Sequence, residues 1–244
     1  KQTRRPGLTA MFASMTGDRQ HLTTATIGYQ IAPRLNAAGR IKHATAALEL
    51  LMTEDPAEAQ RLAAELDQTN GERQGLTERL FAEALEQVPK DPLPTLLAVV
   101  GNDWPSGVVG LVAGRLKERF HRPSLAIGLA GGKLTGSGRS VTGFDITRAL
   151  AEASKHLAHY GGHPLACGFT LASMNALEPF LAAMQRSAER ELAGRDLSPV
   201  LLIDAQTTFA VADGKLVETA QRLEPFGMAN VEPVFSTRDC TIRA

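Results

Sequence analysis

Several things are scarce in this 244-residue sequence, and each scarcity removes a class of function. There are two cysteines, Cys167 and Cys240, far apart and in no Cys-x-x-Cys pair. That excludes a disulfide framework, and a reducing cytoplasm is the expected setting. No apolar run approaches the ~20 residues of a membrane span, and no signal peptide is visible, so no membrane partner is expected. Net charge is also missing, because 26 Lys plus Arg balance 26 Asp plus Glu. Any grip on nucleic acid must therefore come from local arrangement rather than bulk attraction. Acidic clusters are absent too. A two-metal phosphodiesterase needs several carboxylates converging on one point, often with histidine. Here Asp18, Asp55, Asp67, Asp91, Asp103, Asp145, Asp196, Asp204, Asp213 and Asp239 are scattered, with no D-x-D or D-H-H run. No metal site of its own is expected. The chain opens on Lys1 and stops at Ala244 just after a strand-like run, which reads as a piece of a longer polypeptide.

What is present is a globular composition, 43% hydrophobic and 21% charged, long enough for one large domain or two small ones. Residues 1–42 read as basic and irregular, with Arg4, Arg5, Arg19, Arg34 and Arg40. Thr53-Glu54-Asp55-Pro56 is a helix-start signal. Leu62, Leu66, Leu76, Leu80, Ala84 and Val88 continue the helical spacing until Pro89, Pro92 and Pro94 end it. Beyond lie an apolar strand at 96–100, a loop at 101–107, a helix from Val108 to Leu116, a strand at 125–127 and a Gly131-Gly132 turn. A strand or extended loop at 135–141, a helix at 146–157 and a strand at 165–171 follow. Ser173 caps a helix carrying Leu177, Phe180, Leu181, Met184 and Leu192. Strands alternating with helices predict a mixed α/β layer fold. After Pro199 come short strands at 200–203 and 207–209, a helix at 216–223 and a strand at 234–242.

Four segments carry chemistry. Gly136-Ser137-Gly138-Arg139-Ser140 reads as a loop whose backbone N–H groups cradle an anion. Ser137 and Ser140 add hydroxyls, and Arg139 adds a planar fork for two phosphate oxygens. The competing reading is an exposed Gly/Ser turn. Tyr160-Gly161-Gly162-His163 frees the backbone before an imidazole, or else ends a helix. His156, His159 and His163 lack an aligned scaffold and a carboxylate for metal. Pro33–Arg40 brackets small residues with Arg34 and Arg40, as phosphate contacts or as solvated charges. Trp104 precedes Gly107-Val108-Val109-Gly110 at a helix start, either stacking on a base or packing over the sheet edge.

These segments, in this order, resemble the RecJ family of single-strand-specific 5′-to-3′ DNA exonucleases, within the DHH phosphoesterase superfamily. The resembling residues are Arg5-Pro6-Gly7-Leu8, Pro33–Arg40, Trp104 with Gly107–Gly110, Gly136–Ser140, Gly161-Gly162-His163, and Pro225-Phe226-Gly227 with Asn230 and Glu232-Pro233. The resemblance implies the end of a DHH domain (1–43), a connecting helical segment (44–92), a mixed-sheet DHHA1 domain with flanking helices (93–195) and the start of an OB-fold-like β segment (196–244). It implies manganese or magnesium held upstream by a DHH domain, with none bound here.

It also implies roles. Ser137, Gly138 and Arg139 hold the 5′ phosphate with Gly161, Gly162 and Trp104 nearby. Either Arg34 or Arg40 makes a basic contact. His163 faces the scissile phosphate. The family often has His after the tryptophan, where this chain has Pro105. Single-stranded DNA is the implied partner, with single-strand-binding protein or a helicase as further candidates, and DNA repair and recombination as the setting. The rival readings are a DHH/DHHA1 phosphodiesterase of short oligonucleotides or small phosphates, and a non-catalytic single-strand-binding module.

Overall fold

In the computed structural model, residues 3–15, 22–41 and 43–241 are described. Arg19, Asp18 and the last residue of the expected 234–242 strand lie outside them. The segment expected to be irregular is helical where described. Helix α1 (Pro6–Ser14) is followed by α2 (Thr24–Thr26), which widens into a π-helical turn (Ile27–Ile31) and continues as α3 (Ala32–Ile41). Pro33–Arg40 is thus helical rather than irregular, with Ala37 and Ala38 forming a buried small-residue face. Helix α4 (Thr45–Met52) follows.

Helix α5 (Pro56–Gln87) starts where the sequence places it. Pro56 occupies the first turn, and the Asp55 carboxylate accepts the Ala57 N–H at 2.9 Å. Its 32 residues span about 48 Å. Its buried face changes character along its length. Ala59, Leu62, Ala63 and Leu66 pack with α1, α3 and α4, while Leu80, Phe81 and Ala84 pack with the sheet domain. Between them the buried positions are polar: Thr69, Asn70 and Thr77.

The sheet comprises β1 (Leu97–Asn102), β2 (Ser124–Ala130), β3 (Lys133–Arg139), β4 (Leu157–His163) and β5 (Ala166–Leu171), in the order β1-β2-β3-β5-β4. Strands β1 and β2 are parallel, joined by α6 (Ser106–Phe120); the other pairings are antiparallel. The interface with α6 and α5 buries Leu97, Val99, Ala126, Val108, Val112 and Leu116. The opposite face buries Leu125, Ile127, Leu134 and Phe169 under α7 (Ile146–Glu152) and α8 (Leu177–Leu192). The Phe169 and Phe180 rings lie 4.9 Å apart.

Three expectations change here. Gly101 and Asn102 belong to β1 rather than to a loop. The helix expected to reach 157 stops at Glu152, and after a short 3-10 turn (Ser154–His156) the chain becomes strand β4. Tyr160–His163 is therefore an edge strand, not a helix end. Ser173 lies in extended backbone before a second 3-10 turn (Met174–Ala176), and its side chain caps nothing.

Past Pro199, the strands expected at 200–203 and 207–209 are replaced by β6 (Ala205–Gln206), paired in parallel with β7 (Phe235–Ser236), with α9 (Gly214–Gln221) between them. No described helix is long and apolar enough to cross a membrane.

Candidate nucleic-acid interface

The expected anion loop is a central strand. Gly136 pairs with Ile127 on one side and Phe169 on the other, and Gly138 pairs with Leu125 and Cys167. Along β3 the backbone polar groups turn alternately to β2 and β5 and are engaged there, so the expected N–H cradle does not form. The glycines serve packing instead. A Cβ on Gly136 would meet the Phe169 ring at 2.3 Å, and one on Gly138 would meet Ile146 and the Cys167 sulfur at 2.5 and 2.7 Å. Gly138 is buried and presents nothing to a ligand. Ser140 is also spent, donating its hydroxyl to the Phe144 carbonyl at 2.7 Å.

Because side chains alternate along a strand, glycines packed on one face put Ser137 and Arg139 on the other. There α6 lies close. A Cβ on Gly110 would be 3.0 Å from Arg139 Nη2 and 3.3 Å from Ser137 Oγ. Gly107 lets α6 meet α3, since a Cβ there would be 2.1 Å from the Arg40 carbonyl oxygen. The Arg40 Nη1 donates to the Gly107 carbonyl at 3.1 Å. Arg40 is thereby brought to the site, whereas Arg34 is held elsewhere by Asp67 at 2.7 Å and by the Gln30 carbonyl. Of the two arginines left open, the geometry brings Arg40 beside α6 and keeps Arg34 on Asp67.

Arg73 of α5 completes the group. Its Nε and Nη2 donate to Asn70 Oδ1 at 3.3 and 2.9 Å. Arg139 Nη1 donates to its own neighbour's carbonyl, Gly138 O, at 2.8 Å. Arg40, Arg73 and Arg139 thus bond to neutral acceptors, unlike Arg34, Arg61, Arg115, Arg148 and Arg190, which sit on carboxylates. Burial holds the Arg139 guanidinium below its usual range, Cys167 offsets this in part, and the charge of Arg40 lowers it further. Burial and then Arg40 act in the same direction on Arg73. Three half-buried like charges, none bonded to a carboxylate among the described residues, favour a bound anion.

Sequence reading passed over Arg73 and Asn70. The signal was there, as a polar break on an otherwise apolar helical stripe: 62, 66, then 69, 70, 73 and 77, then 80 and 84.

Beyond Arg139 the same face continues across β5 and β4. Arg139 registers with Ala166, and Ala166 with His163, so Arg139 and His163 share a face two strand spacings apart, about 10 Å. The floor between them is small and open, for a Cβ on Gly161 or Gly168 would meet nothing closer than 4.0 Å. Gly162 has a different reason to be glycine: its φ is +149° and a Cβ would lie 2.3 Å from the Ala166 carbonyl oxygen. Trp104 does not join this surface. It is 1% exposed, fills the space above Gly101 and Gly128, and donates its indole N–H to Glu83 at 2.9 Å. Packing in the core, beneath α6, excludes the base-stacking role.

Residues 93–190 match the DHHA1 domain, and residues 203–244 match the RecJ OB domain. The single-stranded-DNA-specific exonuclease RecJ of Bacillus subtilis is 38% identical over 96% of this chain and 30% of its own length. The Escherichia coli protein of the same name is 36% identical over 95% and 42%. The crystal structure of Thermus thermophilus RecJ in complex with Mg2+ superposes with a TM-score of 0.81 at 32% identity, over 96% of this chain and 36% of that one.

The chain belongs to the RecJ family. It spans roughly a third of the length of the RecJ proteins it matches. RecJ structures have been solved with Mg2+ and with Mn2+. The described residues here do not fit such an ion, because no three His, Cys, Asp or Glu side chains gather to hold one. His159 and His163 share a face of β4 but are four residues apart, about 13 Å along the strand, too far to chelate together.

Proposed function

We propose that this RecJ chain grips the phosphate backbone of single-stranded DNA for a 5′-to-3′ exonuclease. The observation that carries the reading is the set of arginines around Ser137 with no carboxylate partner among the described residues, beside the open strip of the sheet. Arg139 and Arg40 supply charge and directional donors to phosphate oxygens, and Ser137 adds a hydroxyl. His163 reaches the same strip from β4 and sits opposite, where a phosphodiester lying over Ala166 would meet it. Preorganised donors of this kind gain value as negative charge builds on a phosphate under attack. The metals of the reaction would be held by other residues than these.

The test is titration of the chain with a fluorescent, 5′-phosphorylated single strand across a range of salt. Arg139→Ala is expected to weaken binding about tenfold or more, the worth of a charge-assisted hydrogen bond. It should also flatten the dependence of log K on log salt by about 0.7 for each phosphate that is no longer neutralised. Unchanged affinity and slope would sink the proposal.

A further inference from the structure

The third arginine of the cluster lies on the helix that the sequence treats as a connector. We propose that Arg73 is a phosphate-binding residue, positioned by Asn70, and that the polar middle of α5 forms one wall of the site. This rests on the phosphate-gripping reading above.

Four observations support it. First, α5 interrupts its own apolar stripe at 69–77, between two well-packed ends. Burying polar residues there costs stability unless they are satisfied, and Thr69 and Thr77 are satisfied by carbonyls of their own helix. Second, Asn70 is 4% exposed and spends its carbonyl oxygen on two donors of the same guanidinium. That fixes the plane and reach of Arg73. A guanidinium has five N–H donors in a fixed fork, so those not given to Asn70 remain for a ligand.

Third, Arg73 and Arg139 line one cleft of about 470 Å³ between α5 and α6, with Gly110, Gly114 and Thr77 along it. Fourth, the charge in that cleft is uneven. At its far end Arg115 is neutralised by Glu78 at 2.8 Å, and Glu118 lines the wall. The unpaired positive charge therefore sits at the Arg73–Arg139 end. A phosphate entering from the open strip over β5 meets that end first.

The experiment compares Arg73→Gln, Arg73→Ala, Asn70→Ala and Arg139→Ala in this chain, by the same salt-resolved titration with the 5′-phosphorylated strand. Arg61→Ala, whose partners are Glu58 and Glu65 on the same helix, serves as the control. Arg73→Gln is expected to weaken binding about tenfold and to lower the salt slope by about 0.7. Asn70→Ala is expected to weaken binding less, with little change in slope, because the charge stays but its aim is lost. Should Arg73→Ala fail to fold, Arg73→Gln keeps the helix and a neutral side chain of similar reach, and decides alone. Binding and slope unchanged in Arg73→Gln, with both reduced in Arg139→Ala, would overturn the role of Arg73 and leave the site standing. Both variants unchanged, or no binding by the unsubstituted chain, would overturn the site and this inference together.

Discussion

Trp104 and Cys167 test how side chains divide between the core and the site. With its indole over Gly101, its backbone against Gly128 and its N–H on Glu83, Trp104 belongs to the core. Trp104→Phe should lower stability by about 1–2 kcal/mol through the missing hydrogen bond while leaving single-strand affinity unchanged. Chemical denaturation and titration check the two halves, and a large affinity loss at full stability would contradict the burial argument. Cys167 lies behind the arginines, on the packed face, and burial pushes its thiol up from 9.0 to about 11. The folded state therefore holds its proton after the unfolded state has lost it. The contribution is intact below pH 9.0 and is lost as pH rises toward about 11. At pH ~8 a thiol reagent should label exposed Cys240 and spare Cys167 until the chain unfolds. Between pH 9.0 and about 11, stability should fall less steeply in Cys167→Ala than in the parent. Ser137 and Arg139 were legible as residue types suited to phosphate. Their backbone was left open between a strand and an extended loop, because a Gly-Ser-Gly-Arg run carries no apolar alternation, and the partner that makes it a strand face, Phe169, is remote in sequence.

At the level of elements, α5 was the most readable and β4 the least. Pro56, Asp55 and the leucine spacing place α5 almost to the residue, since capping and periodicity are local. Strand β4 was missed because an edge strand with sequence Leu-Ala-His-Tyr-Gly-Gly-His buries almost nothing, leaving no period to detect. The opposite edge, β1, is protected in a way no pattern announces. Gln87 at the end of α5 reaches back to Val100, accepting its N–H at 2.9 Å and donating to its carbonyl at 3.0 Å, as a neighbouring strand would. Gln185 of α8 accepts the Leu96 N–H further along. Unpaired edge groups invite pairing with other chains. Gln87→Ala is expected to cost about 1–2 kcal/mol and to raise self-association, measured by sedimentation at rising concentration. Loss of stability without any change in association would mean that the clamp only satisfies Val100.

On the scale of the whole molecule, apolar packing is concentrated before Pro199. The three clusters draw their buried residues from Ala10 to Leu192, with Leu197 packed at the margin. Past Pro199 the side chains that would ordinarily make a core face outward: Val200, Leu201, Leu202, Phe209, Met228 and Val231 are all exposed. Two short strands and one helix cannot cover them. Exposed large apolar side chains in this number bind dyes and promote association, and a net charge of zero adds no repulsion to oppose it. Among described side chains, Thr24 links this region to the N-terminal helices, donating its hydroxyl to the Phe226 carbonyl at 2.7 Å. A single exposed hydrogen bond of this type adds about 1 kcal/mol at most. A shortened chain of residues 1–199 should therefore melt within a few degrees of the parent, the shift that about 1 kcal/mol produces at this size. It should bind less of an apolar dye and associate less at high concentration. Arg40, Arg73, Ser137, Arg139 and His163 all lie in the retained part, so single-strand affinity should survive with its salt dependence intact. A shortened chain that unfolds would instead assign the exposed residues past Pro199 a share in the stability of the sheet domain. One that folds but loses affinity would assign them a share in the grip on the strand.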